Sequence, residues 1–207
     1  MTRSPDKADV LRGLGADPVV CDVYEAEALR EAVIDTGAQA IVHLLTDLPD
    51  DEAEISRFTE ANARIRREGT RNLLAAGEAA GASRFLAESV AWRLEGDAGA
   101  AVDELERTVL AAGGVVLRYG QLYGPGTYFE HELPDHPRIE IGEAARRTVL
   151  ALEEPSGVLE IVSARDARVA QDGSSSTDRM FPAGSLNHAM SGPLPLAMPL
   201  SSCSKAS

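Results

Sequence analysis

Long apolar runs, cysteine and positive charge are all scarce in this 207-residue chain. No segment approaches the about 18 consecutive apolar residues that span a bilayer, and the N-terminus carries no apolar signal-peptide core. A membrane partner is therefore not expected. The two cysteines, Cys21 in an apolar run and Cys203 near the C-terminus, do not suggest a disulfide framework, and the cytoplasm is the expected compartment. The formal net charge is −13. Residues 163–207 hold four basic and three acidic side chains, so the first 162 residues carry −14 between them. An acidic body repels phosphate backbones and anionic headgroups, which argues against nucleic acid as a partner.

What is present is an ordinary globular composition, 44% hydrophobic and 26% charged, in a chain long enough for one domain with a sizeable core. Ser4 as N-cap and Pro5 in the first turn predict a short helix over 4–15. The apolar, β-branched run 18–23 predicts a buried strand, and 25–36 a helix stopped by Gly37. Residues 40–45 predict a second strand. A long helix is expected over 50–80, with Phe58, Asn62, Ile65, Gly69, Leu73 and Ala76 on one face and acidic residues at its positive end. Strands at 83–89, 115–119 and 158–162 alternate with helices at 102–112 and 143–152. Strands apolar on both faces, alternating with helices, predict an α/β fold: a Rossmann-like parallel sheet with helices on both faces, spanning residues 1–162. After Val162 come ten serines, four prolines and three glycines without periodicity. Residues 163–207 therefore predict a low-complexity, disordered tail, although out-of-frame sequence would read the same way.

Three stretches carry a more specific signal: Asn62 with Gly69-Thr70-Arg71-Asn72-Leu73-Leu74, then Arg84-Phe85-Leu86-Ala87-Glu88-Ser89, then Leu117-Arg118-Tyr119-Gly120-Gln121-Leu122-Tyr123-Gly124-Pro125-Gly126. In this order and spacing the chain resembles the NAD(P)-dependent epimerase/dehydratase family, the extended and atypical short-chain dehydrogenases/reductases. The resemblance implies a small-molecule substrate and NAD or NADP as cofactor. It places Ser89 at a strand's carboxyl end, where open α/β sheets form their ligand crevice, and Tyr119 and Tyr123 beside the nicotinamide and substrate. Ser89 and Tyr123 are then the catalytic candidates. Cofactor-binding candidates are Arg3, facing a ribose 2′-phosphate and favouring NADP; Asp22 and Val23, flanking adenine; His43, Leu44 and Leu45, near the adenosine ribose; Asn62, bracing the strand ends; and Tyr119. Each has a plainer reading as well: Arg3 a frayed terminal residue, Asp22 a helix cap, His43 a satisfied core histidine, Ser89 a loop cap, Gly69 a packing glycine.

Two elements of the family pattern have no counterpart in this sequence. The opening strand, Gly-x-x-Gly-x-x-Gly turn and helix, which seat the dinucleotide's pyrophosphate on backbone N–H groups, are not found; Gly13-Leu14-Gly15 follows a helix and Gly113-Gly114 precedes a strand. The Tyr-x-x-x-Lys pair falls at Ala98 and Val102, which cannot titrate. The expectation is thus an N-terminally truncated family member, weakly active or inactive, for which cofactor binding is doubtful. The alternative is a non-catalytic ligand-binding or dimerising module, with a homodimer through helix 50–80 and Ile55, Arg64 and Arg67 exposed on it. In the cluster Glu130-His131-Glu132 with Asp135-His136, Pro134 and Pro137 argue for an irregular loop, and no metal site is expected there.

Overall fold

Apolar runs with no polar alternation belong in a sheet covered on both sides, and that is where they lie. The computed structural model describes residues 1–164 apart from Asp50. The expected tail over 163–207 falls almost wholly outside the described residues.

The main sheet has four strands, β1 (Ala40–His43), β2 (Arg84–Val90), β3 (Val115–Tyr119) and β6 (Gly157–Ile161), in the order β1-β2-β3-β6 and all parallel. Two short strands between the last two, β4 (Gln121–Tyr123) and β5 (Arg138–Glu140), pair with each other in a separate parallel ladder. Parallel neighbours need crossovers, and the helices supply them: α1 (Lys7–Gly13), α2 (Ala26–Thr36), α3 (Thr59–Arg64), α4 (Thr70–Ala80), α5 (Gly96–Ala111) and α6 (Ile141–Leu150).

One face of the sheet, with Ile41, Phe85, Ala87 and Val116, packs on Leu29 of α2, Leu73 and Ala76 of α4, and Leu105 and Val109 of α5. The other face, with Leu86, Val115, Leu117 and Tyr119, packs on Ala144 of α6 and on Ala151. Leu86 and Leu117 lose all their exposure. Each such leucine contributes up to about 1.5–3 kcal/mol relative to an exposed one. This is the Rossmann-like arrangement the pattern predicted. α2 stops where expected, with Gly37 in the left-handed region at φ 60°.

The structure corrects four local expectations. Residues 18–23 do not form a buried strand: a single bridge joins Thr2 to Val20, and Val20 is exposed, because no strand lies on its other side among the described residues. α1 starts at Lys7, with Asp6 rather than Ser4 in the capping position. The helix expected over 50–80 is a relay: a 3₁₀ segment Glu52–Phe58, α3, a π turn Ile65–Gly69, then α4. A π turn adds a residue to the local repeat. Arg66 and Thr70 thereby face inward together with Ile65 and Gly69. Finally, Phe58 is turned partly outward, whereas Ile55, expected on the exposed side, is buried at 4% exposure within the chain's own core. Gly69 is a packing glycine whose neighbours are Ile65 and Val23; an added Cβ would lie 3.0 Å from Ile65 Cγ1.

Candidate functional site at the carboxyl edge of the sheet

β1, β2 and β3 end at His43, Val90 and Tyr119. The carboxyl ends of parallel strands, where side chains and following loops converge, are the physical place for a ligand crevice in such a sheet. Most of the sequence candidates gather along this edge.

His43 is buried and fully engaged. Its Nδ1 accepts the Leu45 N–H at 3.2 Å and its Nε2 lies 3.1 Å from Thr70 Oγ1, so Nε2 carries the proton. Burial first, then the Arg66 charge, push its pKa down to about 4, which keeps it neutral. Leu44 is exposed and Leu45 half-buried beside it. Asn62, inside the helix relay, accepts the Asp47 N–H at 3.3 Å and so braces the loop after β1. Asp47 in turn binds Arg3 through a salt bridge and accepts the Tyr24 hydroxyl at 2.8 Å. These contacts bring Arg3, Asn62 and the β1 loop together. Asp22 stands apart in a turn, its carboxylate accepting the Tyr24 N–H at 3.0 Å. Val23 is buried in the core, and its carbonyl accepts from Asn72 at 2.9 Å.

Ser89 is 1% exposed, and its hydroxyl donates to Glu106 Oε1 at 2.5 Å. The same carboxylate, from α5, accepts Arg118 Nε at 2.8 Å and Arg118 Nη2 at 2.5 Å. Burial raises the Glu106 pKa, but the hydrogen bonds from Arg118 and Ser89 outweigh it, and the net shift is downward. Ser89 therefore sits in a Ser89–Glu106–Arg118 network. Tyr119 is buried, with its hydroxyl against Thr148 of α6, and burial drives its pKa up to about 12. Tyr123 is half-buried on β4, opposite Glu140 in the small ladder. The segment after β4 reaches back over the edge, where the Tyr128 hydroxyl donates to the Pro49 carbonyl. Trp92 just past β2 packs near Leu48, Val90 and Leu94, and its indole N–H is buried without a hydrogen-bond partner among the described residues.

Sequence reasoning passed over Glu106, Asp47, Thr70, Arg66 and Glu88. Glu106 had a legible signal, since it interrupts the apolar face Val102, Leu105, Val109 of α5. Arg66 lies in the π turn and Thr70 directly after it, a turn that a 3.6-residue repeat does not reveal. Ala98 and Val102 both lie on α5, which starts at Gly96 rather than at the expected Val102, and neither offers an ionisable group. Among the described residues no cluster of three His, Cys, Asp or Glu side chains suits a metal, and no helix is long and apolar enough to cross a membrane.

No protein-family model matches the sequence. A 3-diazoavenalumate denitrifying reductase of Streptomyces is 38% identical over 152 residues, covering 60% of this chain. The chain spans 49% of that reductase, about half its length. Among solved structures, the UDP-glucose 4-epimerase of Thermotoga maritima, crystallised with UDP-glucose, superimposes with a TM-score of 0.59 at 14% identity, over 87% of this chain and 74% of its own. The L-threonine dehydrogenase of Phytophthora infestans gives 0.59 at 14% identity, over 74% and 66%. The Bordetella bronchiseptica enzyme WbmG, crystallised with NAD, gives 0.54 at 18% identity, over 76% and 63%. The chain has the Rossmann-like fold of these epimerases and dehydrogenases, that of the NAD(P)-dependent epimerase/dehydratase family its motifs resemble.

Proposed function

We propose that this chain is an NAD(P)-dependent oxidoreductase- or epimerase-like protein whose carboxyl edge faces the nucleoside and nicotinamide ends of the dinucleotide. The observation that carries this reading is the 38% identity to a reductase over 152 residues, on a fold shared with an enzyme crystallised with NAD. The orphaned Trp92 indole N–H at the same edge is the kind of buried donor that a ligand or water satisfies.

The fit to the cofactor is unequal along its length. Arg3, Leu44 and Leu45 offer a cation and apolar surface for the adenosine end, with Arg3 suited to a 2′-phosphate once released from Asp47. For the diphosphate the fit is poorer: among the described residues no Gly-x-x-Gly-x-x-Gly turn joins a strand of the main sheet to a helix N-terminus. Substrate contact falls to Tyr123, the half-buried phenol at this edge, because the Ser89 hydroxyl is held by Glu106 and Tyr119 by Thr148.

Calorimetric titration of NADPH and NADH into the folded chain tests the reading. Without backbone donors for the diphosphate, binding is expected to be weaker than ~100 µM. Low-micromolar binding would show that the diphosphate is held some other way. An absence of heat up to ~5 mM of either nucleotide would overturn the cofactor reading.

A further inference from the structure

The order of the sheet fixes what the segment after β4 has to cross. β1, β2 and β3 are neighbours in that order, and β4 follows β3 after the single residue Gly120. Neighbouring strands lie about 4.8 Å apart, so β1 and β3 stand about 10 Å apart with the carboxyl end of β2 between them. Residues 124–129 set out from the β3 side, yet the Tyr128 hydroxyl donates to the carbonyl of Pro49, in the loop after β1. The segment therefore passes over the end of β2, and Pro49 is buried.

The same segment is stitched to itself. Gly124 turns the chain at φ 109°, and its N–H donates to the Phe129 carbonyl at 3.0 Å. Its carbonyl accepts the Thr127 N–H at 3.2 Å and the Thr127 hydroxyl at 2.8 Å. Phe129 bridges back to Tyr123, so the two ends of the segment meet. Its base is fixed in the β4–β5 ladder, where the Gln121 N–H donates to the Pro137 carbonyl at 2.8 Å. A compact loop with its ends together and its own hydrogen bonds moves as one piece. At its tip, a hydrogen bond such as that of Tyr128 shifts an equilibrium by about three- to tenfold, enough to favour a docked position and little enough to release it.

We propose that residues 124–129 form a strap over the carboxyl end of β2 that opens and closes as a unit, with Tyr128 on Pro49 as its latch, and that opening admits small molecules to the crevice beside Trp92. The strap rests on reading this edge as a ligand crevice, and it names the part of the chain that controls entry. Leu48, next to the latch, and Trp92 pack on the same cluster of Val90, Leu94 and Val102. Trp92 is the chain's single tryptophan and so reports on the covered end.

The test titrates acrylamide, a small neutral quencher, into the full chain while Trp92 fluorescence is read, and follows amide hydrogen exchange at Gly124 and Thr127 by NMR. Tyr128→Phe removes the latching hydroxyl and keeps the ring. It should raise the quenching constant at least about twofold, as the open fraction grows. Protection of the Gly124 and Thr127 amides, whose acceptors travel with the strap, should stay within about twofold of wild type. Ser156→Ala is the control: it loses a side-chain hydrogen bond to the Gly114 carbonyl at the amino end of the sheet, and should be quenched like wild type. The proposal is overturned if Tyr128→Phe is quenched like wild type, or if Ser156→Ala rises as much. It is also overturned if Gly124 and Thr127 lose protection along with the rise, since the segment would then be unravelling instead of swinging. Acrylamide needs no nucleotide site, so a responsive latch in a chain that binds neither NADPH nor NADH would sink the cofactor reading and leave the strap standing.

Discussion

Replacing Glu106 with Gln tests whether the Ser89–Glu106–Arg118 network stabilises the fold. The substitution keeps the shape but removes the charge that accepts Ser89 at 2.5 Å and Arg118 at 2.8 and 2.5 Å. Hydrogen bonds to a charged group contribute about 1.5–3 kcal/mol each in favourable settings. The Arg118 side chain is 39% exposed and can return to water, which discounts its share, whereas Ser89 is 1% exposed and cannot. A net cost of about 2 kcal/mol is expected, a drop in Tm of about 4–8 °C for a chain of this size. The pH dependence supplies a second reading. The Glu106 pKa is depressed in the folded state, so its stabilisation is complete above the unfolded value of about 4.3 and is lost as pH falls through the folded one. The Tm gap between wild type and Glu106→Gln should therefore be widest at pH 7 and narrow below about pH 4. Thermal melts followed by circular dichroism at pH 7, 5 and 3.5 measure it. Ser89→Ala and the double variant complete a cycle, whose coupling should exceed about 0.5 kcal/mol. Equal melting temperatures at pH 7, or strict additivity, would refute the network as an energetic unit.

His43, neutral in the fold with its pKa lowered to about 4, makes the chain acid-sensitive. The unfolded chain binds more protons than the folded one between about pH 6.5 and 4, so stability should fall by up to about 3 kcal/mol across that window. Urea unfolding at pH 7, 5.5 and 4.5 should show this loss in wild type and a flatter profile in His43→Gln; equal slopes would refute the assignment. Two glycines separate a movable obstacle from a fixed one. A Cβ on Gly77 would lie 2.7 Å from the Ile41 Cδ1 methyl, and one on Gly120 would lie 2.7 Å from the Arg138 backbone nitrogen. Gly77→Ala should stay within about 1 kcal/mol of wild type, since helix propensity offsets the crowding, while Gly120→Ala should cost about 2 kcal/mol or more in the same urea assay. The reverse order would show that the side chain at Ile41 cannot yield.

Legibility of the fold and of the site depended on different physics. The four main strands were readable because a strand covered on both faces carries apolar residues on both, and such runs at 40–45, 83–89, 115–119 and 158–162 all became strands within a few residues. The run 18–23 has the same composition but forms only a bridge to Thr2, because a strand also needs a neighbour and composition does not supply one. The short β4–β5 ladder was missed for a related reason: three-residue strands are set by the loop that joins them, not by an apolar pattern. The network members were hidden by a different habit of reading, in which charged residues are assigned to solvent. Glu106 follows Leu105 on a face defined by Val102 and Val109, and Arg66 lies four residues after Asn62 and four before Thr70. A charge at an inward position of an apolar face must find a partner or change its protonation, since burying it alone is prohibitive. Glu106 takes the first course with Arg118 and Ser89; Glu88 shows the upward pKa shift of the second. Charged residues that interrupt an apolar periodicity therefore mark where chemistry is confined, more directly than the exposed histidines and carboxylates of the 130–136 loop.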